Sequence, residues 1–342
     1  MSNKKLGFGI IGSGFIAGIH AEAIQKIEQA YLAGVYDLSS VSAAKFAEKY
    51  GTAAFYSIED MLQTNKVDVI CICTPSGLHK DYAVIAAKAG KHLVIEKPLA
   101  LTASDCDAIL LACEENKVKA TVISQLRYSH GYMQLKHAID QGWLGKITSG
   151  SIYMKYYRNP EYYRGSWRGT KAMDGGGALM NQGIHGVDLL QHIMGKVKSV
   201  YGISRTLFHE VEVEDTLCAA LEYENGAVGV IEATTSVYPG FNRRMEICGT
   251  KGSMVLTEDE ITFYEFEDKG IAFEDSRKGT GQYSANDNTN ISINGHVCQL
   301  TDFVHSLITV SPVGIDCKEG KKSVELITAI YQSSEEKKPI ML

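Results

Sequence analysis

Hydrophobic and polar positions along the 342-residue chain change rhythm near residue 124. Before that point, short apolar runs alternate with stretches of helical period. The runs cover 6–11, 31–36, 67–73, 92–95 and 120–124, and the helical stretches include 41–50, 57–64, 82–89 and 101–116. Continuous apolar runs joined by helices read as a buried parallel sheet. After 124 the strands alternate or run apolar at 147–157, 197–207, 214–223, 227–237, 243–250, 252–257 and 260–266. Polar turns such as Glu224-Asn225-Gly226 separate them, the pattern of an antiparallel sheet. Helices are expected at about 127–141, 177–194, 294–309 and 318–335, and a polar loop at 268–291. The fold class is therefore α/β plus α+β: a dinucleotide-binding domain over 1–124, then an α/β domain over 125–342 with a large, open, mostly antiparallel sheet.

Residues 6–37 carry the most specific signal. An apolar strand runs into Gly12-Ser13-Gly14-Phe15-Ile16-Ala17, and a helix follows with Ile16, Ile19, Ala23 and Ile27 on one face. A second strand then ends in Asp37. Strand, G-x-G-x-x-A turn, helix, strand and acid form the Rossmann fingerprint in its required context. Gly12 permits the tight turn, Gly14 lets a pyrophosphate approach the backbone, and Phe15 and Ile16 open the helix whose N-terminus receives the phosphates. Asp37 is placed to bind the adenosine ribose hydroxyls. Its charge repels a 2′-phosphate, and Leu38, Ser39 and Ser40 offer no arginine in compensation, so NAD is favoured over NADP. Ligands of open α/β sheets lie beyond the carboxyl ends of the strands. Thr74, Pro75 and His79 after one strand, and Glu96 and Lys97 after the next, are therefore expected to line the cofactor.

A net charge of −6 argues against nucleic acid or an anionic membrane as partner. No apolar run reaches the roughly 18 residues that a spanning helix needs. The apolar run after Lys4 and Lys5 breaks at Gly12 and reads as a strand, not a secretion signal. The eight cysteines are scattered, several inside strand-like runs, and read as buried reduced thiols of a cytoplasmic protein.

Lys97 lies just beyond a parallel strand and before Pro98, where an amine can stand beside a nicotinamide and a substrate hydroxyl. In the stretch 174–195, three consecutive glycines suggest backbone passing close to a ligand. Asn181, His185, Asp188 and His192 follow at helical spacing. Asn181 and His185 can share a substrate hydroxyl, and Asp188 can orient the His185 ring. In the loop at 158–170, Tyr162, Tyr163 and Trp167 can stack on sugar faces. Arg158, Arg164 and Arg168 there can bind hydroxyls or anions, or the whole loop can cross a subunit interface. His296, opening the helix at 294–309, is a further candidate. No H-x-H, H-E-x-x-H or acidic cluster argues for a metal.

Taken together, G-x-G-x-x-A with its following Asp, CTPSGLH, EKP and GGGALMNQGIHGVDLL resemble the glucose–fructose oxidoreductase, inositol dehydrogenase and MocA family along nearly the whole chain. The resemblance implies hydride transfer between nicotinamide and a secondary hydroxyl of a sugar, cyclitol or nucleotide-sugar, with homodimers or homotetramers built through the sheets. It makes Lys97 the acid/base and places His185 and Asn181 at the reacting carbon; from the loop at 158–170, Tyr163, Trp167 and Arg168 remain the candidates for binding the substrate. Where relatives commonly carry Asp in D-x-G-x-H, this chain has Asn181, which cannot take a proton, leaving that task to Lys97 or His185. The stretch SWRGTKAMDGGGALMNQGIH also resembles members that oxidise C3 of UDP-linked N-acetylamino sugars or their uronates. Two alternatives on the same scaffold are a glycosidase recycling its bound NAD and a sugar- or NAD-sensing regulator.

Overall fold

The computed structural model describes residues 5–273 and 292–342; the part of the expected 268–291 loop from 274 onward lies outside the described residues. It divides into two compact units, one of residues up to 125 together with 292–321, the other of 126 onward together with 322–342.

The first unit is built from β1 (Leu6–Ile11), α1 (Phe15–Gln25), β2 (Ala30–Tyr36), α2 (Ser40–Tyr50), β3 (Ala53–Phe55), α3 (Ile58–Gln63), β4 (Val69–Ile72), α4 (His79–Lys88), β5 (His92–Ile95), α5 (Ala103–Glu115) and β6 (Ala120–Val122). Its six strands lie in the order β3-β2-β1-β4-β5-β6, with every pairing parallel. That is the doubly wound order of dinucleotide-binding folds, and its reversal falls between β1 and β4. Serine or threonine caps hold α2, α3 and α5, where Ser39, Ser57 and Thr102 accept from backbone N–H groups of the first turn. At α1 the cap is Gly14, with no side-chain hydrogen bond, so the first-turn N–H groups stay open to an anion.

Residues 292–321, expected in the second domain, pack with the first unit. The reason is the apolar face of α8 (Asn294–Thr309), the helix anticipated at 294–309. Its Leu300, Phe303 and Val304 enter one core with Ala17, Ala21 and Ile24 of α1. The segment also closes the edge of the sheet at β6. Gln299 accepts from the Ser124 N–H (3.0 Å) and donates to the Val122 carbonyl (2.7 Å), and Thr121 donates to the Ile315 carbonyl (2.7 Å).

The second unit holds α6 (His130–Asp140), β7 (Ile147–Lys155), α7 (Ile184–Met194), β8 (Val197–Arg205), β9 (Thr216–Tyr223), β10 (Val228–Thr234), β11 (Arg244–Gly249), β12 (Gly252–Thr257), β13 (Glu260–Phe266), most of α9 (Cys317–Glu336) and β14 (Ile340–Met341). The eight strands run β13-β12-β11-β7-β10-β9-β8-β14. Pairing is antiparallel except between β10 and β7, where Ile231 stands beside Ile152 in a parallel ladder. Burial alternates along β8, β9 and β10, so one face is covered and the other open. Tyr201, Ile203, Val228, Val230 and Phe263 are exposed. The long helix expected at 177–194 is two structures: a π-helical stretch, Ala178–Gly183, and then α7. Among the described residues no helix is long and apolar enough to cross a membrane.

Candidate active site

The glycine turn after β1 has the geometry that the fingerprint requires. Gly12 adopts φ +98°, and a Cβ there would lie 2.6 Å from the Cys73 carbonyl oxygen, which excludes any other residue. A Cβ on Gly14 would meet nothing within 4 Å, so the turn leaves open room beside the free N–H groups of α1. Asp37, at the end of β2, is drawn to this turn. One carboxylate oxygen accepts from the Ser13 N–H (2.9 Å) and hydroxyl (2.7 Å), the other from the Ser39 N–H (2.8 Å). Phe15 is half exposed at the mouth of the turn and Ile16 is half buried behind it. Beyond β4, the Thr74 hydroxyl is buried with no hydrogen-bond partner in the protein. An open cradle at helix α1, an acid at the end of β2 and an orphan hydroxyl beside the strand ends fit a nicotinamide dinucleotide.

His79 has a different part from the one expected. It is fully buried, and its ring nitrogens face the carbonyls of Pro98 (2.7 Å) and Thr74 (3.1 Å). Burial lowers its pKa and favours the neutral ring, which carries one N–H and so donates to one of these two carbonyls while packing between the turns. Lys97 itself is half buried directly after Glu96, and its N–H donates to a Glu96 carboxylate oxygen at 3.2 Å. His20, Glu96 and His296 form the one set among the described residues whose ligand atoms could hold a metal, all within 4.8 Å of one another. The His20–Glu96 contact within it, 2.7 Å, has the length of a direct hydrogen bond.

In the second unit the polar stripe around α7 resolves into distinct partners. Asn181 and His185 are half buried, Asn181 in the π-helical stretch and His185 in the first turn of α7. Asn181 donates its amide to Asp174 at 2.6 Å, and the other Asp174 oxygen accepts from the Gly169 N–H at 2.8 Å. Asp188, expected to orient His185, is engaged on both oxygens by Arg127, at 2.9 and 2.6 Å. His192 meets the Tyr132 hydroxyl at 2.6 Å. Two of the three glycines are required by the protein's own packing. A Cβ on Gly177 would fall 1.7 Å from the Glu214 carbonyl oxygen, and one on Gly176 would fall 2.4 Å from the Tyr331 hydroxyl. Glu214 then caps the π-helical stretch, accepting from the N–H groups of Gly177 (2.7 Å) and Leu179 (2.8 Å) and from Tyr331 (2.9 Å).

In the loop at 158–170, Arg168 stacks over the rings of Tyr162 (4.8 Å) and Trp167 (5.1 Å), a half-buried group of the kind that can present a cation and flat rings to a ligand. Tyr163 faces inward. Its hydroxyl donates to Thr235 at 3.2 Å, its ring packs on His209, and burial pushes its pKa up to about 12. Arg158 is buried against Tyr156 and Tyr162, and exposed Arg164 pairs with Glu161.

Residues 6–124 match the oxidoreductase family with an NAD-binding Rossmann fold, and residues 132–255 match the GFO/IDH/MocA C-terminal domain. The WlbA dehydrogenase from Bordetella pertussis, solved with NADH and UDP-GlcNAcA, is 33% identical, covers 99% of each chain and superposes with a TM-score of 0.90. The chain belongs to the GFO/IDH/MocA family. Other relatives are the myo-inositol 2-dehydrogenase of Thermotoga maritima, 28% identical over 98% of each chain, and the levoglucosan dehydrogenase of Pseudarthrobacter phenanthrenivorans, 28% identical over 74% of each.

For this GFO/IDH/MocA oxidoreductase, the Asn181–Asp174 contact shows what stands beside the position where relatives commonly carry Asp. A carboxylate is already there, supplied from seven residues upstream. Asn181→Asp would set two carboxylates at hydrogen-bond distance, and their mutual repulsion raises the pKa of one of them. A raised carboxyl pKa destabilises the folded state above the unfolded value and ceases to do so in acid. The variant is expected to be about 1–2 kcal/mol less stable than the parent at pH 7, with the difference closing as the pH falls toward about 4. Urea unfolding at both pH values measures it; a pH-independent difference would place the two groups apart.

Proposed function

We propose that the protein oxidises a ring hydroxyl, at C3, of a UDP-linked N-acetylamino sugar or its uronate, with NAD preferred over NADP. The observation that carries this reading is the likeness to WlbA along 99% of both chains, a protein solved with NADH and UDP-GlcNAcA. The Asp37 carboxylate beside the glycine turn supports NAD, since a 2′-phosphate would be repelled there. NAD, when bound, supplies the hydride acceptor. Lys97 is assigned as the base that takes the hydroxyl proton as hydride leaves the same carbon. His185 is assigned to the developing carbonyl oxygen and Asn181 to a neighbouring hydroxyl. Trp167 and Arg168 supply a flat ring and a cation suited to a sugar and an anion. The open face of the second sheet, with Tyr201, Ile203, Val228, Val230 and Phe263, supports assembly into a homodimer or homotetramer. All eight cysteines are free thiols, which supports a cytoplasmic setting.

The test is NADH formation from NAD⁺, with NADP⁺ in parallel, on UDP-GlcNAcA, UDP-GlcNAc, myo-inositol and levoglucosan. Absorbance at the nicotinamide band is expected with a UDP-linked sugar alone, and with kcat/KM at least about tenfold higher for NAD⁺. Turnover of myo-inositol without turnover of either UDP-sugar would move the assignment to a free polyol. Cleavage of a glycoside with no net NADH would reveal cofactor recycling.

A further inference from the structure

Glu96 is almost completely enclosed, 5% exposed, and His20 and His296 on either side of it are at 0%. Three elements remote in sequence bring them together: the cofactor helix α1, the end of β5 and the first turn of α8. One Glu96 oxygen is 2.7 Å from His20 Nε2 and 3.8 Å from His296 Nε2. The other accepts the backbone N–H of Lys97. The two imidazoles meet edge to face, with centroids 5.5 Å apart. His20 Nδ1 and both His296 nitrogens are buried without a hydrogen-bond partner. An enclosed carboxylate is costly unless charge or hydrogen bonds compensate it, so an arrangement spending two buried histidines on one acid calls for a function.

We propose that Glu96, held by His20 and His296, is a positioning residue that fixes the peptide carrying Lys97 and sets a negative charge behind its amine. The proposal rests on the reading of Lys97 as the acid/base. Burial pushes the Glu96 carboxyl up, but the hydrogen bond from His20 at 2.7 Å outweighs it and holds the carboxyl well below the usual range, while burial lowers His296 and keeps it neutral. The other titratable groups facing it leave its charge uncancelled. Cys71 and Cys73 on the β4 run are pushed up by burial and stay thiols, and burial keeps His79 neutral. Lys97 is the cation next to it in the chain. Through His20 the acid is also tied to the helix that receives the pyrophosphate, so one buried contact aligns the amine with the cofactor cradle.

Four full-length variants test this: Glu96→Gln, His20→Leu, His20→Gln and His296→Leu. Two measurements are made on each: turnover of the substrate found above, with kcat and KM for NAD separated, and the pH dependence of Lys97 acylation by acetic anhydride, read by mass spectrometry. The second needs no substrate. Removing the anion destabilises the ammonium form. In Glu96→Gln the Lys97 labelling midpoint is therefore expected to move to lower pH by at least about half a unit. kcat should fall about 10–100-fold with KM for NAD within about threefold. His20→Leu and His296→Leu should follow in the same direction, while His20→Gln, which keeps a donor for Glu96, should stay within about threefold of the parent. An unmoved Lys97 midpoint in Glu96→Gln overturns the proposal, as does equal loss in His20→Gln and His20→Leu. So does a stoichiometric metal in the purified protein that His20→Leu removes. If the parent turns over no substrate but its Lys97 midpoint shifts in Glu96→Gln, the cluster stands and the acid/base reading fails.

Discussion

The Lys97→Met variant is expected to lose about 100-fold or more in kcat/KM while its affinity for NAD stays within about threefold. The side chain sits half buried past the carboxyl end of β5, where open sheets of this order present catalytic groups to their ligands. Methionine has nearly the same length and keeps the packing of the apolar stem but cannot hold or release a proton. The glycine turn at Gly12 and Gly14 and Asp37, the residues proposed to hold the cofactor, are untouched, so the cofactor should still bind. Oxidation by the parent should rise with pH as the amine loses its proton, and the variant's residual rate should not follow that limb. Steady-state kinetics across pH, with NADH binding followed by fluorescence, checks both halves. Turnover equal to the parent's would remove Lys97 from the chemistry.

The second large effect is on stability. Gly177→Ala is expected to cost about 3 kcal/mol or more and to abolish turnover. The new methyl carbon would fall 1.7 Å from the Glu214 carbonyl oxygen, far inside contact distance. Neither side can move away cheaply. The same carbonyl accepts from the Ala178 N–H at 3.0 Å, and the Glu214 carboxylate holds the N–H groups of Gly177 and Leu179 and the Tyr331 hydroxyl. Separation would leave buried polar groups unpaired. Asn181 and His185 follow within eight residues of this contact, so a displaced π-helical stretch misplaces both. Gly165→Ala is the control: at φ +64° with nothing within 4 Å it should cost only about 1 kcal/mol. Urea unfolding of both variants gives the comparison, and parent-like stability of Gly177→Ala would contradict the packing described.

What could be read in advance was local. The Gly12 turn, the Asp37 acid and the strand rhythm of both sheets depend on neighbours within a few dozen residues, and period alone reveals them. The partners of the second unit's residues are remote. Glu214 reaches Gly177 across 37 residues and Tyr331 reaches Glu214 across 117, so the packing that requires Gly176 and Gly177 was not legible in the glycine run. The π-helical register at 178–183 was hidden because apolar spacing does not distinguish five-residue from four-residue hydrogen bonding over a single turn. Tyr163 and Trp167 look alike in sequence; only the fold turns one ring toward Thr235 and the other toward Arg168. The parallel β7–β10 pair was equally unannounced, since strands of either direction share the same alternation.

The placement of α8 in the core of the first unit has a consequence for synthesis. On the ribosome, the first 125 residues emerge well before Leu300, Phe303 and Val304, the side chains that cover α1. At about 5–20 residues per second, the nascent nucleotide-binding unit waits on the order of ten seconds or more with an apolar helix face and the β6 edge open. Its folding is completed only once the α8 residues have been made, which makes the growing chain, rather than the folded enzyme, the form most in need of a chaperone.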